Sequence, residues 1–98
     1  MTWQFRAELW LHPGEGAWHF ITLPLDVATE IREMTAGRRR GFGSVRVAVE
    51  VGATSWGTSV FPDSASGSFL LPVKREVRTS EGLGDGDSVE VALRLVEL

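Results

Sequence analysis

Only a few residues in this chain have types that could do chemistry, and their spacing limits what that chemistry can be. There are two histidines, His12 and His19, and no cysteine. Neither histidine has a carboxylate or a second imidazole at i+2 or i+4, the separations that set two metal ligands on one face of a strand or helix. No metal is expected, and the lack of cysteine removes thiolate ligands and thiol nucleophiles together. The glycine patterns that cradle phosphates or build a nucleophile elbow are missing, so no nucleotide loop, catalytic residue or cofactor is expected. Asp85 and Asp87 stand in a Gly-Asp-Gly-Asp run, where short carboxylates bond to their own backbone.

What remains is basic. From Arg32 to Arg78 eight basic residues stand against four acids, a local charge of +4. The whole chain carries −3, with a pI of about 5.3. A positive patch on an acidic molecule suits a small anion or a protein partner better than a nucleic-acid backbone. The candidate anion site comprises Arg46, Lys74 and Arg75, joined by Arg39 and Arg40 of the Arg38–Arg40 run and by Asp63. Lys74 and Arg75 fall in the first turn of an expected helix, and Asp63 is spaced to pair with Lys74 across a hairpin. A solvated loop and a solvated helix start are the competing explanation for the same residues. Four tryptophans and five phenylalanines are enough to line a pocket or a partner surface as well as to fill a core. Trp10 falls on the polar face of its segment, and with Trp18 and Trp56 it is a candidate for that lining.

These side chains must be held by strands. Trp3, Phe5, Ala7, Leu9 and Leu11 alternate with polar neighbours, the period of two that puts successive side chains on opposite faces of a strand. Further strands are expected at 18–23, 45–51, 54–61, 68–71 and 88–96, with a loop from Pro62 to Gly67. Pro24 and Pro72 each end a strand and should begin a short helix, because proline lacks the ladder N–H yet suits a helical first turn. Gly37 and Gly82 should end those helices.

Two segments recur. Leu23-Pro24-Leu25 matches Leu71-Pro72-Val73, and Ser44–Val51 matches Ser88–Leu95. The chain therefore reads as two ββαβ pseudo-repeats, about 1–51 and 52–98, within one domain over residues 1–98. The fold class is mainly β with two short helices (α+β), a small closed barrel of six to seven strands. Leu23, Ile31, Val47, Val49, Leu71, Val77, Val91 and Leu93 should be buried.

Five ordered segments carry a family resemblance: Trp18–Pro24, Gly41–Val47, Thr58–Asp63, Ser66–Lys74 and Gly82–Asp87. Together they resemble the bacterial domain-of-unknown-function family numbered 1905. The resemblance implies a double-split β-barrel similar to the AbrB group of transcription factors. It implies no catalytic or binding residue, since the family carries no established activity.

The reading that best fits the missing catalytic groups is a non-catalytic binding module for a small anion or a protein, acting as monomer or homodimer. An AbrB-like nucleic-acid-binding domain is one alternative, and an enzyme using Asp63, Lys74 and His19 is another. No apolar run approaches the roughly 20 residues of a membrane span, and the start has no basic leader, so a cytoplasmic location is expected. A Val47→Asp chain should fail to fold, because it buries an unpaired carboxylate in a domain with a margin of only about 5–15 kcal/mol. A cooperative melt of that variant by circular dichroism would contradict this placement.

Overall fold

The alternating segments all become strands in a computed structural model, which describes residues 2–14, 16–38 and 43–96. In chain order the elements are β1 (Thr2–Leu11), β2 (His19–Thr22), α1 (Leu25–Thr35), β3 (Val45–Val51), β4 (Thr54–Asp63), β5 (Ser68–Pro72), α2 (Arg75–Glu81) and β6 (Ser88–Leu95). The six strands close an antiparallel barrel in the order β1-β2-β5-β4-β3-β6. β1 and β4 each take part in two pairings along their length: Thr2–Glu8 with β6 and Leu9–Leu11 with β2, Thr54–Val60 with β3 and Phe61–Asp63 with β5.

The period of two decides what fills the barrel. Leu9, Ile21, Val47, Val49, Val60, Phe69, Leu71, Val91 and Leu93 are all buried, and the residues between them face outward. All eight residues expected in the core are there. Val27, Ala28 and Ile31 of α1 and Val77 of α2 add to the same core. α1 packs against β5 and α2 against β4. The Arg32 side chain fastens α1 further, bonding the Gly67 carbonyl and lying over the Phe69 ring with its guanidinium 5.6 Å from the centroid.

The order strand, strand, helix, strand occurs twice. Exchanging β1, β2 and β3 with β4, β5 and β6 leaves every strand pairing in place. The registers agree as well. Val49 and Leu93 are matched positions of the recurring segment; Val49 pairs with Trp56, and Leu93 pairs with Trp3. Trp3 and Trp56 are therefore counterparts in the two halves.

Two expectations need correction. Pro24 does start a helix, as the N-cap of α1, but Pro72 is the last residue of β5, and α2 begins only at Arg75. The difference lies in the next residue. Val73 is buried at 2% exposure and its N–H bonds the His19 carbonyl at 3.0 Å, so the chain stays extended through Lys74. The corresponding Leu25 is 62% exposed and free to enter a helix at once. The expected loop also begins later, because β4 runs on through Pro62 to Asp63. A proline is tolerated there where the ladder needs no N–H.

Gly82 closes α2 in the left-handed conformation at φ 65°, with the Leu83 N–H bonded to the Arg78 carbonyl at 2.8 Å. Just before it, Glu81 reaches the β3–β4 turn, where its carboxylate accepts from the Thr54 hydroxyl at 2.6 Å and the Ala53 N–H at 3.3 Å. Among the described residues, no helix is long and apolar enough to cross a membrane. Glu81→Ala should cost about 1–1.5 kcal/mol by losing these bonds, lowering Tm by about 5–10 °C in a domain of this size. An unchanged calorimetric melt would show that the turn holds without α2.

Candidate functional site

β2 and β5 are neighbours, and their pairing continues past Pro72 through the Val73 N–H to the His19 carbonyl. That bond brings the chain entering β2 beside the chain entering α2. Between them and the middle of β4 lies an open cleft of about 450 Å³. Its walls include Trp18 and His19 from the β2 side, Trp56 from β4, and Lys74, Arg75 and Arg78 from α2 and its approach. The lining thus holds three fixed cations and, among the described residues, no carboxylate. The single ion pair among the described residues, Arg6 with Glu90 at 2.7 Å, is on the outer face of β1 and β6.

Arg78 is half-buried at the cleft wall. Its Nε is buried and has no hydrogen-bond partner among the described residues. Its Nη1 lies 3.1 Å from His19 Nδ1, which also stands 3.0 Å from the Ala17 carbonyl. One ring nitrogen cannot serve both neighbours, since it must carry a proton to donate to Ala17 and lack one to accept from a guanidinium. The guanidinium is always charged, so it is held at the cleft wall with part of its bonding capacity unused. A phosphate or carboxylate oxygen would complete it.

The aromatic walls differ in freedom. The Trp18 ring stacks on Phe20 at 6.0 Å between centroids with planes 10° apart, and the residue is 55% exposed. Trp56 is half-buried, and its indole N–H has no acceptor among the described residues. A larger depression of about 510 Å³ on the outer face of β3, β4 and β6 is floored by Ala48, Gly57 and Ala92 and edged by Glu50 and Arg94. Its two charges are of opposite sign, so it offers no preference for an anion.

The residues expected from the sequence divide between places. Lys74, Arg75, Trp18 and Trp56 come together in the cleft. Arg46 does not line it; its Nη2 lies 3.5 Å from where a Cβ on Gly57 would stand, and Gly57 is part of the cleft wall. Trp10 is elsewhere, on the outer face of the β1–β2 hairpin, where its indole N–H bonds the Thr22 hydroxyl at 2.9 Å and its ring packs on His12 and Phe20. Asp63 does not pair with Lys74. Its carboxylate instead accepts from the Ser66 N–H at 3.1 Å and the Ser66 hydroxyl at 2.7 Å, two near donors of its own turn. Asp85 and Asp87 likewise bond backbone, at Leu11 and Gly84. Arg39 and Arg40 lie outside the described residues.

A family model described as Domain of unknown function (DUF1905) matches residues 5–93, a span that takes in both helices and the body of every strand. The chain belongs to this family. No curated protein matches it. The DUF1905 fold is thus shown here as a closed six-stranded barrel, and the roles of its residues must be read from the cleft.

Arg78 and His19 are the cleft residues that spacing did not bring forward as an anion site. The signal lay in β2 pairing with β5, which local periodicity does not carry. Replacing Arg78 with methionine keeps the length of the side chain while removing the under-partnered cation. Arg78→Met should therefore melt at the same temperature as the parent or a few degrees higher without ligand. A fall of more than about 5 °C, corresponding to roughly 1 kcal/mol, would make the residue structural.

Proposed function

We propose that this DUF1905 chain is a non-catalytic binding module whose ligand is a small anion held in the cleft between β2, β4 and α2. One observation carries the reading: Lys74, Arg75 and Arg78 line a single cleft whose lining includes, among the described residues, no carboxylate, and the Arg78 Nε is buried with no partner among them. Desolvated cations left unpaired cost stability, so a fold that keeps one at a cleft wall favours an anion there. α2 has seven residues, and the reading rests on these side chains and not on its helix end. A partner protein presenting a carboxylate is the same chemistry on a larger body. A cytoplasmic setting is part of this proposal, one that a cysteine-free composition permits.

Nucleic-acid binding has less support. The outer face of β1, β6 and β3 mixes signs, with Arg6, Glu90, Arg94, Arg46 and Glu50 close together, so no basic stripe runs along the sheet.

Isothermal titration with inorganic phosphate, acetate and a DNA duplex separates the two. Saturable phosphate or acetate binding is expected, weakened about tenfold or more in Lys74→Ala or Arg75→Ala, since a hydrogen bond to a charged group contributes about 1.5–3 kcal/mol. Duplex binding that falls steeply with salt, without small-anion binding, would favour the nucleic-acid reading.

A further inference from the structure

The two halves of the barrel treat one tryptophan position differently. In the first half the Trp3 indole N–H donates to the Glu30 carboxylate of α1 at 3.3 Å, and Trp3 is 7% exposed. In the second half the counterpart Trp56 has no such acceptor among the described residues. The carboxylate that α2 directs toward β4 belongs to Glu81, and it is occupied by Ala53 and Thr54 of the β3–β4 turn. Where Trp3 meets an internal acid, Trp56 lines an open cleft together with Arg78.

Trp18 adds a shape requirement. One face of its ring is covered by Phe20, and Trp18 lines the cleft while Phe20 does not. The cleft therefore includes, beside its cations, an aromatic side chain that is itself backed by a second ring. A volume of about 450 Å³ is larger than a bare phosphate needs and lies within the range of small-molecule sites, about 300–1,000 Å³.

We infer that the ligand is a planar aromatic anion, its ring stacked on Trp18, with acceptor atoms held by the Trp56 N–H and its charge by Arg78 with Lys74 and Arg75. The inference rests on the anion-binding reading above and narrows its ligand class. The same chemistry is presented by a nucleotide and by an aryl carboxylate.

Paired probes separate the sources and the failures. Adenosine 5′-monophosphate is titrated against ribose 5-phosphate and inorganic phosphate, and benzoate against acetate, with affinity read by calorimetry. A gain of about tenfold or more from the ring in either pair supports the inference and names the source, because stacking on an aromatic wall is worth about that much. Trp18→Ala should abolish the gain, bringing the aromatic probe down to the affinity of its ring-free partner measured on the same variant. Trp56→Phe, which keeps the ring and removes the N–H, should weaken the aromatic anion about fivefold or more with Tm preserved. Inorganic phosphate binding with no ring advantage in either pair overturns this inference and leaves the anion reading standing. No binding by any anion overturns both.

Discussion

The pairing of β2 with β5 is the contact on which the rest of the molecule depends. It joins two short strands, of four and five residues, from opposite halves of the chain. Without it the order β1-β2-β5-β4-β3-β6 is an open sheet, its buried row exposed to water at two edges. With it the ladder closes, and Ile21 meets Leu71 in register at the centre of the core. The same pairing, carried one residue further by the Val73 N–H, sets Trp18 and His19 against Lys74, Arg75 and Arg78. Closure of the fold and assembly of the cleft are one event.

The halves share a frame and differ in what they do with it. α1 sends a glutamate to the indole of Trp3 and a guanidinium to the Gly67 carbonyl, so its surroundings are internally satisfied. α2 is four residues shorter, sends its glutamate to a turn, and leaves Arg78 against a histidine nitrogen that is already in contact with a carbonyl. Local bonding that is complete stabilises; local bonding left incomplete at a concave surface is the usual mark of a site. In the anion-binding reading proposed above, the ligand meets Trp18 and His19 of the first half as well as Lys74, Arg75 and Arg78 of the second.

How much of this was legible in the sequence depends on the range of the interaction. Alternation from Trp3 to Leu11 and from Val45 to Val51 identified strands because a strand's two faces see different solvents within a few residues. Gly82 ended its helix as expected, since a left-handed cap is a local demand that glycine meets at least cost. Pro72 misled because a bond from Val73 to His19, distant in sequence, held the chain extended where local rules allow a helix. Asp63 misled for the opposite reason: Ser66, three residues away, outcompeted Lys74. The cleft cations Lys74 and Arg75 were visible as charge, whereas Arg78 matters only because β2 lies beside β5, and Trp56 only because its counterpart Trp3 already has an acid.

The central proposal is that the cleft beside Trp56 binds an anion, whereas the counterpart Trp3 meets the chain's own acid. The four tryptophan indole N–H groups give four resonances in a proton–nitrogen correlation spectrum, and titration with adenosine 5′-monophosphate and benzoate reads them separately. The account predicts saturable shifts of the Trp56 and Trp18 indoles with at least one of the two probes, while Trp3, bonded to Glu30, and Trp10, bonded to Thr22, stay in place. A Trp56 indole that does not move with either probe would contradict it.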